Sequence, residues 1–249
     1  MNKNEMLRIV QLQLATDLNC MPDDLNGKMD SFIFTVTKNN PGRRPFLRGE
    51  RHFEMLTMGG SVVVSATPDI LPYIRKELDG KNSDEAFNMP FVHGQGICYI
   101  PDINNIKPIV APENIEIVIV TQPDVPNLYV HKGFSYAIWY EPHIRPETLV
   151  AVAYCNGAAV GMAGASNDCE MMWQIGIDVL PEFRNRGIAA ALANRLSIEI
   201  LKHGKVPYYA TAPRNIGSQR VAHRAGFIPA WACAYKGRFD DVLTLSTCG

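Results

Sequence analysis

Apolar positions recur at helical spacing at the start of the chain. Leu7, Val10, Leu14 and Leu18 share one side and predict a helix over residues 4 to about 18, which Met21-Pro22-Asp23-Asp24 then breaks. Short apolar runs bounded by turn residues follow, and they predict strands near 32–37, 53–58 and 61–66. The first of these ends at Asn39-Asn40-Pro41-Gly42 and the other two flank Gly59-Gly60. Thr67-Pro68-Asp69 has the form of a helix start, with Thr67 as N-cap and proline at the first helical position, and predicts a helix to about Leu78. Residues 90 to about 113 are rich in Gly, Pro and Asn and read as a connector with one short strand.

The second half has a clearer rhythm. β-Branched residues predict a strand over Ile115 to Thr121, and further strands are expected near 134–140, 148–155, 158–166 and 171–179. A helix over about 186–203, a strand at 207–212, a helix over about 216–225 and a last strand from 227 complete the order. Leu149 to Ser166 carries no charge over a length that just reaches across a bilayer. Its middle, Asn156-Gly157, is a hairpin signal, because both residues tolerate the positive φ of a type I′ turn. Two buried strands are therefore expected there, not a membrane span. The division between halves is expected at 125/126: an N-terminal α/β domain over 1–125 and a second domain over 126–249.

Composition narrows the class. The chain is 47% apolar and 20% charged, the range of a globular protein. Its 24 Lys and Arg balance 25 Asp and Glu, so no overall field favours nucleic acid or an anionic membrane. Any bound anion needs a local site. The six cysteines are scattered and form no CxxC pair, which argues against a disulfide framework or a structural metal and for reduced thiols in a cytoplasmic protein. The opening MNKNEMLRIV lacks the order of a secretory signal.

The segment with most chemistry runs from Ile175 to Ala189. A strand ends at Leu180-Pro181 and a helix begins within Arg184-Asn185-Arg186-Gly187, its apolar face being Ile188, Leu192, Leu196 and Ile200. A helix N-terminus leaves backbone N–H groups unpartnered and carries partial positive charge, so with a glycine and two arginines beside it this end suits a diphosphate. The order Pro-x-Phe-Arg-x-Arg-Gly-Ile-Ala resembles the pyrophosphate motif of the GNAT superfamily of acyl-CoA N-acyltransferases, with Arg184, Gly187 and Ala189 at its characteristic places. About 25 residues further on, Arg214-Asn215-Ile216-Gly217-Ser218 and, after a helix, Ala225-Gly226-Phe227 resemble the second CoA motif of that family. The resemblance covers about residues 130 to 249. It implies a GNAT-like fold, mixed α/β with a central, mostly antiparallel sheet.

The resemblance also assigns roles. Arg184, Asn185, Arg186, Gly187, Ile188 and Ala189 would hold the diphosphate of acetyl-CoA, with amides as far as Ala190 contributing. Ile177 and Val179 would offer backbone groups to the pantetheine arm and the thioester oxygen, and Asn215 and Ser218 would bind the pantetheine side. Arg220 and Arg224, one turn apart, would meet the ribose phosphate or remain ordinary surface residues. Many members carry a tyrosine acid four residues before the Gly of Gly-Phe, but here that position is Ala222. Tyr208, Tyr209 and Tyr235 are alternatives that the sequence does not place, and a thiolate is also able to leave unprotonated.

An attacking amine must lose a proton, so a carboxylate is expected nearby. Glu170 and Asp178 are the candidates, each competing with an ordinary turn or exposed-strand role. Cys169 lacks a paired histidine for nucleophilic chemistry. His52, His93, His131, His143 and His203 show no ligand spacing, so no metal is expected. Arg43, Arg44, Arg48 and Arg51 read as a solvated basic loop, and Trp173 as a core residue or a pocket wall. Gln122 to Lys132 is short for the two helices that usually follow the first strand of the family, so the N-terminal half is expected to help grip the acceptor. The reading is an N-acetyltransferase that uses acetyl-CoA and a small-molecule amine, with a homodimer left open. The alternatives are a CoA-binding regulatory module and a protein-lysine acetyltransferase.

Overall fold

The computed structural model describes residues 1–44, 51–140, 147–167 and 169–239. They fall into two compact units, one of Met1–Val10 with Tyr99–Pro229 and the other of Gln11–Cys98 with Ala230–Gly249. This division is not the single cut expected at 125/126. The last strand explains part of the difference, because its residues 232–234 pair with 55–57 of the second unit.

Helix α1 spans Lys3–Leu18 and buries Met6, Val10, Leu14 and Leu18, largely the predicted side. In the second unit β1 (Phe32–Val36), β2 (Phe53–Thr57) and β3 (Val62–Ala66) lie close to their predicted places. β1 runs parallel to β3, and β2 and β3 are antiparallel. Helix α2 is shorter than expected, Leu71–Glu77 with Ile70 as N-cap. The amides of Ile70 and Leu71 both bond to the Thr67 carbonyl, so Thr67-Pro68-Asp69 makes a turn before the helix and not its first turn. Helix α3 (Ser83–Phe87) begins at Asn82, whose side chain accepts from the Glu85 amide while Glu85 reaches back to the Asn82 amide. Phe53, Phe91 and Phe239 meet at ring-centroid distances of 5.5–5.9 Å at the centre of this core.

The expected connector after residue 90 holds a ten-residue strand, β4 (Val92–Pro101). Gly94 and Gly96 hide it from a propensity reading, and Gly94 takes the positive φ of 67° that a side chain would resist.

The first unit contains β5 (Glu116–Thr121), β6 (Glu147–Cys155), β7 (Ala158–Ser166), β8 (Met172–Val179) and β9 (Val206–Thr211), in the order β9-β8-β7-β6-β5. Only β8 and β9 are parallel in this series. Asn156 and Gly157 have φ of 50° and 80°, which is the type I′ turn predicted between β6 and β7. Helix α4 (Ile188–Lys202) covers β6, β7 and β8 with a nearly continuous apolar face, and α5 (Ile216–Arg224) packs beside it. Strand β10 (Phe227–Gly237) follows α5 in the chain. The fold is mixed α/β with a mostly antiparallel sheet, as expected. No helix among the described residues is long and apolar enough to cross a membrane.

The strand expected near 134–140 is absent; those residues form a turn in which the amides of Ala137 and Ile138 bond to the Phe134 carbonyl. Phe134, Ala137 and Ile138 are buried at spacing i, i+3, i+4, a one-sided pattern that alternation in a strand cannot produce. In place of the two helices that the resemblance implied after the first strand, the described residues hold one short 3₁₀ turn, Val125–Val130.

Candidate functional site

β8 changes character halfway along. Its pairing with β9 covers Met172↔Val206 to Ile175↔Tyr209 and extends no further among the described residues, while its pairing with β7 continues to Val179. The two parallel strands therefore part beyond Ile175. The Leu180 amide donates to Val160 on the β7 side. Since backbone groups alternate in direction along a strand, those of Ile177 and Val179 point the other way, into the opening. One of them is taken, because the Val179 carbonyl accepts the Arg184 Nε–H at 3.0 Å.

The chain then turns through Pro181–Phe183 to the start of α4. Asn185 and Gly187 have φ of 63° and 85°, and Gly187 is the N-cap. The first intrahelical bond runs from the Ala191 amide to the Gly187 carbonyl. The amides of Ile188, Ala189 and Ala190 thus have no carbonyl to meet within the helix. The arginines shape the loop: Arg184 reaches back to Val179, and Arg186 donates to the Glu182 carbonyl at 3.1 Å with its guanidinium 5.2 Å from the Phe183 ring centroid. What faces outward from an exposed loop is backbone N–H with positive helix-end potential, an arrangement suited to a diphosphate.

The two faces of β8 differ. A side chain at Gly161 would meet Ile188, Leu192 and Val179, so Val179 and, by alternation, Ile177 and Ile175 share the α4 face. Asp178 and Gly176 lie on the other. There the turn after Phe134 lies so close that a methyl group on Gly164 or Gly176 would overlap the carbonyls of Ala137 and Tyr136. Asp178 Oδ2 accepts the amides of Tyr136 at 2.6 Å and Ala137 at 3.0 Å, and Glu147 Oε1 accepts the Trp139 amide at 3.2 Å. These bonds replace the strand ladder expected for residues 134–140. Burial raises the Asp178 carboxyl above the ordinary carboxylate range, against the lowering influence of the two amides and Arg184. Asp178 Oδ1 makes no hydrogen bond among the described residues.

Glu170 is exposed in the bend before β8, seven residues from Ile177 or ~23 Å at the usual strand rise. Of the two candidate carboxylates, Asp178 alone stands at the opening. Cys169 turns its thiol to the Met172 carbonyl at 3.5 Å, and Trp173 is buried against His203.

Asn215 and Ser218 spend their side chains locally. Asn215 Oδ1 caps α5 by accepting the Ser218 amide at 3.0 Å, and the Ser218 hydroxyl bonds that of Tyr209. Arg220 and Arg224 are exposed. Ala222 is buried. Asn194, inside α4, ties the region together through the Ile109 amide and the carbonyls of Lys107 and Ala225. Sequence reasoning missed the turn at 134–139, although its i, i+3, i+4 apolar spacing was there to be read. No group of metal-ligating side chains occurs among the described residues.

The predicted basic loop is different in kind. Arg44 donates its Nε–H to Asp17 Oδ2 at 2.6 Å, and its backbone amide meets Oδ1 at 2.8 Å. Arg43, 2% exposed at its side chain, contacts His52 Nε2 at 3.1 Å and lies 4.0 Å from Glu54. Burial, then Arg43, lowers the His52 pKa to about 4, and burial raises that of Glu54. Arg51 pairs with Asp69 in solvent, while Arg48 and His143 lie outside the described residues.

Comparison with known proteins bears on the first unit. Residues 116–227 match the model of the Acetyltransferase (GNAT) family. No curated protein matches the chain. Among solved structures, a GNAT-family protein of Novosphingobium aromaticivorans is 22% identical with a TM-score of 0.45, over 58% of this chain and 64% of that one. The chain thus spans just under two thirds of that relative's length. A GCN5-related N-acetyltransferase from Kribbella flavida is 14% identical with a TM-score of 0.48, over 71% of this chain and 68% of that one. The aminoglycoside N-acetyltransferase AAC(6')-Iy, solved in complex with CoA, is 23% identical with a TM-score of 0.35, over 46% of this chain and 88% of that one.

Proposed function

The chain carries an acetyltransferase domain of the GNAT family over residues 116–227, and from that premise we propose that it moves an acetyl group from acetyl-CoA to the primary amine of a small molecule. The observation that carries this reading is the free edge of β8 beside an open helix N-terminus. In this reading the loop Arg184–Gly187 and the amides of Ile188, Ala189 and Ala190 receive the diphosphate. Arg184 and Arg186 hold the loop in shape. The Ile177 backbone groups and the Val179 N–H pair with the pantetheine amides as a neighbouring strand would, and an N–H from this edge faces the thioester oxygen, where negative charge develops. Asn215 and Ser218 flank the arm from the start of α5.

Asp178 serves the amine. Its Oδ1 takes a proton from the incoming ammonium, directly or through one water, while Oδ2 keeps the turn in place. That turn roofs the β7–β8 face, which favours a compact acceptor over an extended peptide. The five described cysteines form no disulfide with one another, which suits a cytoplasmic location.

One observation favours a CoA-binding module without chemistry: Ala222, buried, has no proton to give at the family's tyrosine position. Thiol release from acetyl-CoA separates the readings. Release with one or more of a panel of small primary amines is expected. Acetyl-CoA binding without release supports the module, and release with a lysine peptide alone supports a protein acceptor.

A further inference from the structure

Residues 102–115 precede the stretch that matches the family, 116–227, yet they lie against both helices of the site. The Asp102 amide donates to the Gly226 carbonyl at 2.8 Å, just past the end of α5, and Ile106 lies over Gly226. Further on, Asn194 of α4 accepts the Ile109 amide at 2.9 Å and donates to the Lys107 carbonyl at 3.0 Å. Pro112 then comes up to Gly187, where its ring is 3.9 Å from the position of an added methyl group. From Asn194 back to Gly187 is ~10 Å of helix, and the three steps from Ile109 to Pro112 cover the same ~10 Å when extended. The segment therefore runs along α4 towards its N-terminus. On this run Val110 is 90% exposed and Ile109 38%. Two apolar side chains are thus held in water by a backbone fixed to a buried asparagine.

We propose that Ile109, Val110 and Pro112 form the wall on which the adenine of acetyl-CoA lies. The inference rests on the acyl-CoA reading, in which the diphosphate meets the amides of Ile188, Ala189 and Ala190. That diphosphate carries the pantetheine arm on one phosphorus and adenosine on the other. The arm leaves along the free edge of β8, so the adenosine leaves on another side of the helix end. Only the ribose separates its phosphate from the base. Pro112 adjoins Gly187 at that end, and Val110, two residues earlier, is within ~7 Å of Pro112 along the chain. Adenine is a flat ring with two π-faces, and an aliphatic wall beside the diphosphate takes one of them out of water. Asn194 and the fixed φ of Pro108 and Pro112 hold the segment in place before any ligand arrives, so little ordering is left to offset the gain. The wall comes from residues outside the family-matching stretch, and it selects for the nucleotide end of the donor, not for its acyl end.

The test compares the unaltered full chain with the double variant Ile109→Ser and Val110→Ser by calorimetry. Two probes are used: acetyl-CoA, and S-acetyl-4′-phosphopantetheine, which keeps the arm and one phosphate but lacks the adenosine end. The double variant is expected to bind acetyl-CoA about 10-fold more weakly. Its affinity for S-acetyl-4′-phosphopantetheine and its melting midpoint should not change, because both substitutions lie at exposed positions. In NMR of the unaltered protein with acetyl-CoA, the adenine H2 and H8 protons should show cross-relaxation with the Val110 methyl groups. Equal weakening of both probes overturns the proposal, as does an adenine that makes no contact with those methyl groups. Acetyl-CoA binding that the double variant leaves intact removes this proposal alone and lets the acyl-CoA reading stand. No binding of acetyl-CoA by the unaltered protein removes that reading and this one with it.

Discussion

Each unit takes a carboxylate out of water, Asp178 in one and Glu54 in the other, and burial raises both pKa values. Their surroundings differ. Glu54 sits within an internal set of Asp17, Arg43, Arg44 and His52, in which each charge is met by another within 4.0 Å. Asp178 has backbone amides on one oxygen, a free second oxygen, and a strand edge that opens beside it. A perturbed carboxylate is therefore a weak sign of chemistry here, and an unfinished sheet edge next to an open helix end is a stronger one.

That contrast has its largest expected effect at Asp17. Asp17→Ala removes the carboxylate that meets the Arg44 guanidinium at 2.6 Å and should destabilise the fold by ~3 kcal/mol, read from denaturant midpoints. Acetyl-CoA affinity of the folded fraction should not change; a fall in affinity would dissolve the distinction between the units. Gly187→Asp acts in the reverse sense. It puts a side chain at φ +85° and a negative charge where the proposed site would receive the diphosphate, and should weaken acetyl-CoA binding at least 100-fold in calorimetry, ~2.7 kcal/mol. The strain at that φ should lower the melting midpoint by only ~2–8 °C.

Asp178→Asn keeps the shape but loses the charge that favours the Tyr136 and Ala137 amides, costing ~1–2 kcal/mol of stability. With an amine acceptor the unaltered protein should show an acid limb in kcat above the usual carboxylate range, because burial raises the Asp178 pKa and a base at this position must be ionised to act. That limb should vanish in Asp178→Asn. The smallest effect lies at His52. Its folded pKa, lowered to about 4, is below the usual value of 6.5, so its stabilisation is present above pH 6.5 and is lost as pH falls towards 4. Thermal melts should lose ~1–2 kcal/mol over that window in the unaltered protein, and this loss should be missing in His52→Gln.

The parts of the fold that were legible in the sequence are those set by local rules. Asn156-Gly157 needs only its own φ angles to specify a hairpin, and Ile188, Leu192, Leu196 and Ile200 need only helical spacing to bury one face of α4. The loop before α4 was legible for the same reason. What escaped depends on partners distant in sequence. Residues 134–139 are held by Asp178 and Glu147, from two different strands, and lie over bare Gly164 and Gly176. The arginine run reads as solvated until Asp17, 27 residues before Arg44, is brought beside it. Tyr209 was one of three tyrosines of equal standing until strand register set it at the last rung of β8 and β9.

The central claim is that acetyl-CoA lies along the open edge of β8 with its diphosphate on the first turn of α4. Amide-resolved NMR of the full chain during titration with acetyl-CoA tests this directly. The account predicts that the N–H signals of Ile177, Val179, Ile188, Ala189 and Ala190 shift first and furthest, with those of the Asp17–Arg44 region unmoved. Saturable binding that leaves these five signals in place would contradict it.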